Sequence, residues 1–201
     1  MDKIIIGIDQ SYQDTGVTVS VNGKVRKVYA IKLSKEKNNS VKRERVRGFL
    51  LSLLALIEKK YDTTNTVCII ERIRLKSQGF INIDYIRNMG ALNATIIDVM
   101  YLHGIKTYSV DTRAWKSAIV GSSKPLSNKY GINPEKYPTI IWCIKNGYKN
   151  SIIDYEVGKK KNGVITKNGE KYMYDDNKAD SLAISLYGFL PVKKQKLQEE
   201  H

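Results

Sequence analysis

With 201 residues, 42% of them apolar, the chain is long enough for one well-packed domain and too short for two large ones. Its 34 Lys plus Arg against 20 Asp plus Glu leave a net charge of +14, which points to a polyanionic partner, nucleic acid ahead of an anionic membrane or an acidic protein. No run reaches the roughly 18 apolar residues of a membrane span, no secretory signal or lipidation motif is read, and Cys68 and Cys143 lie inside apolar runs without metal-like spacing. The expectation is a cytoplasmic protein with reduced thiols and no membrane partner.

In chain order, Ile4, Ile5, Ile6 and Ile8 form the branched run of a strand buried on both faces, and this strand delivers Asp9 to its C-terminal end. Taken alone, a strand-ending Asp is most often the start of a turn. Its meaning depends on whether other carboxylates arrive beside it. Thr15 to Val21 and Lys24 to Ile31 have strand propensity and are joined by Asn22-Gly23, a pair suited to a type I′ hairpin. After a polar stretch, Ser34 to Ser40, the apolar residues Val46, Leu50, Leu53, Leu54 and Ile57 recur at helical spacing. Lys42, Arg43, Arg45 and Arg47 crowd the first turns of that helix against its dipole, either as a solvated face or as phosphate contacts.

Val67-Cys-Ile-Ile-Glu71 repeats the opening arrangement, a short apolar run that ends on a carboxylate. The polar stretch Arg72 to Asn82 holds Gly79 and Phe80. Tyr85, Ile86, Met89, Leu92, Ile96, Ile97 and Met100 then mark a second amphipathic helix, and Ile105 to Val110 a further strand. Strand, helix, strand, helix beside a meander predicts an α/β fold with a mixed sheet covered by helices. Two shorter helices, around Arg113 to Val120 and Pro138 to Lys145, flank a loop in a region made basic by Lys116, Lys124, Lys129 and Lys136. Between Tyr155 and Tyr174, Asn162-Gly163 and Asn168-Gly169 predict a small β insertion. It is either a solvated excursion or a flap that offers Lys159, Lys160, Lys161, Lys167 and Lys171 to DNA.

The last helix carries Ala179, Leu182, Ala183 and Leu186 as its core stripe, with Asp180 at the rim and Asp176 and Asn177 one turn earlier on the same side. Capping is the role expected of Asp175 and Asp176 from their place at the helix start; Asp180, past the first turn, is not explained that way. Residues 1–190 are expected to form one domain, with residues 191–201 a basic, disordered tail. His103 reads as a helix-end or surface residue, and Trp115 and Trp142 as core.

Gly7-Ile-Asp9-Gln-Ser-Tyr-Gln-Asp-Thr-Gly16, Ile69-Ile-Glu71 and Ala179-Asp180-Ser-Leu-Ala-Ile-Ser185 resemble, in order and setting, the three signatures of RuvC-type Holliday junction resolvases. Arg87 to Asp98 is similar to the helix that follows the second acid in that family. The resemblance implies a ribonuclease H-like fold, a mixed five-stranded sheet flanked by helices. It further implies that Asp9, Glu71 and Asp180 converge on two magnesium ions, with manganese as a substitute. The implied activity is that of a homodimer placing paired nicks across a four-way DNA junction, leaving 5′-phosphate and 3′-hydroxyl ends. Such a compact resolvase suits a phage or mobile element as well as a cell, acting in the bacterial host cytoplasm if phage-encoded.

The chain departs from the family where an Asp or His stands three residues before the last Asp; here the residue is Asn177. Asp176 supplies the missing carboxylate if the helix start is shifted, or the Asn177 amide oxygen serves as a weaker ligand, or the chain is an active-site variant. Phe80 is the candidate for stacking at an opened junction, beside the equal alternative of a loop-packing Phe. Two other functional readings stand: a catalytically silent junction binder of the same fold, and a general DNA or RNA nuclease. Sugar kinases share the Gly-Ile-Asp opening but need a second nucleotide-binding half and Gly-rich phosphate loops, so no nucleotide cofactor is expected.

Overall fold

The branched run at the start of the chain forms β1 (Ile4–Asp9), buried along its length until Asp9. In the computed structural model, which describes residues 1–73, 83–121, 138–154, 163–165 and 171–200, β2 (Asp14–Val21) and β3 (Lys24–Lys32) follow as an antiparallel meander. Asn22 and Gly23 turn between them with φ of 52° and 75°, the two positive values that a type I′ turn requires. The other edge of β1 pairs in parallel with β4 (Thr66–Glu71), and β4 in parallel with β5 (Lys106–Val110). Between the parallel strands the chain returns through α1 (Asn39–Glu58) and α2 (Ile83–Leu102), as parallel pairing demands.

The two faces of the sheet are covered differently. Ile4, Ile6, Ile8, Cys68 and Ile70 pack against Val46, Leu50, Leu53, Leu54 and Ile57 of α1 and Leu92, Ile96 and Val99 of α2. The α1 stripe is the one its helical periodicity predicts. On the opposite face Ile5, Ile69 and Val110 meet Trp115 from the short helix α3 (Thr112–Trp115) and Ala183, Ile184 and Tyr187 from α5 (Asp176–Tyr187). A π-helical turn, Lys116–Val120, continues α3. The helix α4 (Pro138–Lys145) packs Ile140 and Ile141 with Ala179 and Leu182 of α5.

Among the described residues the sheet has six strands where five are expected, in the order β3-β2-β1-β4-β5 and then β9 (Leu197–Glu200). The sixth comes from the segment expected to be a disordered tail. The edge of β5 presents unpaired backbone donors and acceptors, and pairing them antiparallel with residues 197–200 outweighs the solvation of the nearby lysines. Two further ties hold the segment. Gln195 Nε2 donates to the carbonyls of Gly188 and Leu190, and the Lys196 N–H donates to the Tyr187 hydroxyl at 2.6 Å.

The β insertion before the last helix is a three-stranded antiparallel sheet of β6 (Ile153–Asp154), β7 (Gly163–Ile165) and β8 (Lys171–Tyr174), in the order β6-β8-β7. Asn162, Asn168-Gly169, Phe80, Lys124, Lys129, Lys136, Lys159, Lys160, Lys161 and Lys167 lie outside the described residues. Among the described residues no helix is long and apolar enough to cross a membrane.

Helix α5 lies unusually close to the sheet. A Cβ on Gly7 would stand 2.5 Å from the Ser181 carbonyl oxygen and from the Ser185 nitrogen, and one on Gly16 would overlap the Asn177 carbonyl. Within this contact the hydroxyl of Thr18 pairs with that of Ser181 at 2.9 Å, and that of Ser20 with that of Ser185 at 2.8 Å. The start of α5 is set by Asp175, its N-cap, which accepts from the Lys178 N–H and from Lys32 Nζ of β3 at 2.7 Å. Gly7→Ala and Gly16→Ala are each expected to lower stability in urea denaturation by about 3 kcal/mol or more, because backbone must move. Gly48→Ala, with open space around it on α1, is expected to raise stability by about 0.5–1 kcal/mol.

Candidate active site

Parallel pairing in the register Ile8 to Ile70 brings the ends of β1 and β4 side by side, so Asp9 and Glu71 stand together one residue further on. Side chains alternate along strands, and both acids therefore fall on the face of Ile5 and Ile69, the one covered by α5. The glycine-mediated approach of α5 brings Asp180 to the same place, with a side chain about 19% exposed. Asp176, four residues earlier and exposed, opens the helix; Asp175, not Asp176, is the cap.

The electrostatics record this convergence. Burial pushes the Asp9 carboxyl well above the usual carboxylate range, and the charges of Asp180, Glu71 and Asp176 push it further, against the pull of Lys116. Asp180 is raised to about 6 by burial, opposed first by the Lys116 ammonium, whose Nζ lies 3.3 Å from Asp180 Oδ2. Oxygen donors short of positive charge match a hard divalent cation in kind and in charge. Among the described residues no group of three or more His, Cys, Asp or Glu side chains is placed to hold a metal ion as it stands.

Glu71 is held by Thr112 and by Trp115, the latter expected from the sequence to be core. Thr112 Oγ1 donates to its Oε1 at 2.7 Å, and Nε1 of the fully buried Trp115 donates to its Oε2 at 3.0 Å. Both donors come from α3, which Asp111 starts by capping the Arg113 N–H directly after β5. Gln10 Nε2 donates to the Glu71 carbonyl at 2.9 Å and to Asn93 Oδ1 of α2 at 3.1 Å. Asp111-Thr112 is legible as a helix start; nothing local shows that Trp115, read as core, also orients an acid.

Of the basic residues singled out in the sequence, Lys116 lies inside the acid cluster rather than on an outer binding face. Lys42 donates to the Tyr12 carbonyl at 3.0 Å and Arg43 to the Tyr12 hydroxyl at 3.4 Å. Tyr12 belongs to the loop after Asp9, so these two charges stand at the acid end of the sheet. Arg45 is paired with Glu36 at 2.7 Å, and Arg47 Nε lies 3.6 Å from Glu44. His103 bonds Glu58 at 2.8 Å, remote from the acids in the fold.

No family model matches the sequence, and a search of curated proteins finds no relative. Solved structures do match. Thermus thermophilus RuvC in complex with its Holliday junction substrate superposes with a TM-score of 0.59 over 98% of this chain and 99% of that one, at 12% identity. A second Thermus thermophilus RuvC structure gives a TM-score of 0.55 over 91% of each chain, at 15% identity. The chain has the ribonuclease H-like fold of RuvC. At such identity the likeness concerns the fold alone, a mixed sheet flanked by helices.

The raised Asp180 carboxyl has a sign that can be measured. The folded protein holds this proton more tightly than the unfolded chain, so metal-free protein loses stability as pH rises from the ordinary carboxylate range through about 6. In chelator, urea denaturation between about pH 4.5 and 7 is expected to show a gain on the order of 2 kcal/mol on acidification. Asp180→Asn is expected to make that profile shallower, the raised Asp9 carboxyl still contributing; an unchanged slope would contradict the assignment.

Proposed function

We propose that the protein is a metal-dependent endonuclease that cuts branched DNA, with the four-way junction as substrate. The observation that carries this reading is the arrival of Asp9, Glu71 and Asp180, from two adjacent parallel strands and one helix, at one end of a RuvC-type sheet. The net charge of +14 supplies the complementary attraction for a polyanion. In the Thermus thermophilus relative of the fold the partner is a Holliday junction.

Asp9, Glu71 and Asp180 would hold a pair of magnesium ions, or manganese in their place, with Asp176 or the Asn177 amide oxygen completing the set. Bound there, such ions supply a water of lowered pKa and stabilise charge on the departing oxygen of a phosphodiester. The chain's own residues do the rest. Thr112 and Trp115 fix both oxygens of Glu71 in one orientation, which narrows the positions a bound phosphate can take. Lys116 offsets part of the carboxylate charge that would otherwise repel the incoming phosphate. Lys42 and Arg43, beside the loop after Asp9, are placed to take flanking phosphates. Paired nicks need two such sites, so the working form is a homodimer.

A second reading, a silent junction binder, is favoured by one observation. Lys116 already stands against Asp180 in a site that carries Asn177 in place of a carboxylate. The two separate on a labelled immobile four-way junction and a matched linear duplex, each with magnesium, with manganese and with chelator. Symmetric, metal-dependent nicks on the junction are expected, leaving 5′-phosphates. Binding without nicking would establish the silent reading, and recovery of nicking in Asn177→Asp would mark an inactivated variant. Cleavage of linear substrates would mark a general nuclease.

Asp9→Asn and Glu71→Gln are expected to abolish nicking and to leave junction affinity within about threefold, since the basic surface is untouched. Thr112→Val removes one Glu71 donor with little change of shape. It is expected to slow nicking about tenfold while the protein stays folded.

A further inference from the structure

A cavity of about 810 Å³ opens on the far side of α3 from Glu71, between that helix, the end of α5 and the C-terminal segment. Its volume falls in the range of ligand-binding clefts. Among the described residues, four cationic side chains line it, Arg72, Arg113, Lys194 and Lys196, against one carboxylate, Asp111. Leu197 and the ring of Tyr187 give it an apolar base. That charge balance selects an anion, and the mixed lining selects one with an apolar part.

The walls are fixed rather than loose. Lys194 and Lys196 stand on backbone that the Tyr187 hydroxyl binds at both positions, and β9 then pairs with β5. Arg72 is anchored across the same edge, donating to Ser109 Oγ at 3.3 Å and to Gln198 Oε1 at 2.7 Å. The cavity is also tied to the acids. Arg72 follows Glu71 in the chain, and one turn of α3 offers Thr112 and Trp115 to Glu71 while Arg113 faces the cavity. A helix with its side chains is about 10–12 Å across, and a duplex strand advances about 3.4 Å per phosphate. Groups separated by the width of α3 therefore match phosphates a few nucleotides apart on one strand.

We propose that this cavity is a nucleic-acid subsite in which Arg72, Arg113, Lys194 and Lys196 hold phosphates of the strand segment adjoining the one presented to Asp9, Glu71 and Asp180. It presupposes that the protein works on nucleic acid and names where a second stretch of the same strand is gripped. The C-terminal segment is then part of the binding surface, and its pairing as β9 is what places its lysines.

The test is fluorescence anisotropy in chelator, where no cleavage occurs, with a labelled four-way junction and a labelled single strand over about 50 to 200 mM salt. The triple variant Arg113→Ala, Lys194→Ala, Lys196→Ala is compared with Lys24→Ala, Lys59→Ala, Lys60→Ala, which removes the same charge from exposed positions at the opposite end of the sheet. The first is expected to bind at least about tenfold more weakly, with a log–log salt slope shallower by about three; the second is expected to keep its slope. Equal effects of the two triples overturn the subsite. So does protection of the cavity by inorganic phosphate alone with strand binding unchanged, which would mark a free-anion site.

A second measurement uses Ser117→Cys, on the cavity wall, carrying an azidophenacyl group; Cys68 and Cys143 are buried and free, so labelling is selective. Cross-links to the DNA strand are expected, and their absence overturns the subsite even if the triple variant fails to fold. Site-dependent binding without magnesium-dependent nicking would leave the subsite and remove the nuclease reading. A wild-type protein that binds no DNA removes both.

Discussion

Everything at the acid end of this protein depends on how closely α5 can lie on β1 and β2. Gly7 and Gly16 leave room for helix backbone where any side chain would collide with it. The surrounding contact is made of small hydroxyl residues in buried pairs, Thr18 with Ser181 and Ser20 with Ser185. Such pairs satisfy polar groups that a greater separation would leave to water or unpaired. The cap at Asp175, tied to Lys32, fixes where the helix starts. Together these contacts carry Asp180 to Asp9; burial raises both carboxyls, and the charge of Asp180 raises Asp9 further. Burial of the two apolar layers on either side of the sheet holds the charges in place.

The direction of the elements gathers the candidate site at one end. β1, β4 and β5 are parallel, so Asp9, Glu71 and the α3 cap all emerge where those strands finish, the usual place for a ligand on a sheet of this kind. The starts of α1, α3 and α5 come to the same end, and they bring Lys42, Arg43 and Lys116 with them. Positive charge thereby surrounds a negative centre, an arrangement that suits a phosphate backbone flanking a cation site. Lys116 connects the two. It neutralises part of the acid cluster and lies over the Trp115 ring, whose indole nitrogen holds Glu71.

Much of the fold was legible because its signals are local. The continuous isoleucine run of β1, the Asn22-Gly23 turn and the α1 stripe each follow from residue type and period, and each is where the pattern puts it. The three acids were legible for a related reason, since a carboxylate ending an apolar strand or edging a helix stripe is conspicuous. β9 was not. Its four residues include two glutamates and no β-branched residue, and only the open edge of β5 makes them a strand. The same holds for Lys116, whose partner Asp180 is 64 residues away in the chain, and for Trp115, whose burial was foreseen but whose hydrogen bond was not.

Local pattern alone is enough for the elements up to the last helix, the apolar faces and the residue types available for chemistry, because propensity, periodicity and charge act over a few neighbouring residues. Tertiary structure alone decided which acids meet, how Glu71 is oriented, that Lys116 sits among the carboxylates, and that the last residues close the sheet and wall a basic cavity. Those outcomes rest on strand register and on the distance between α5 and the sheet. Both arise from packing between segments far apart in the chain, where no local pattern records them.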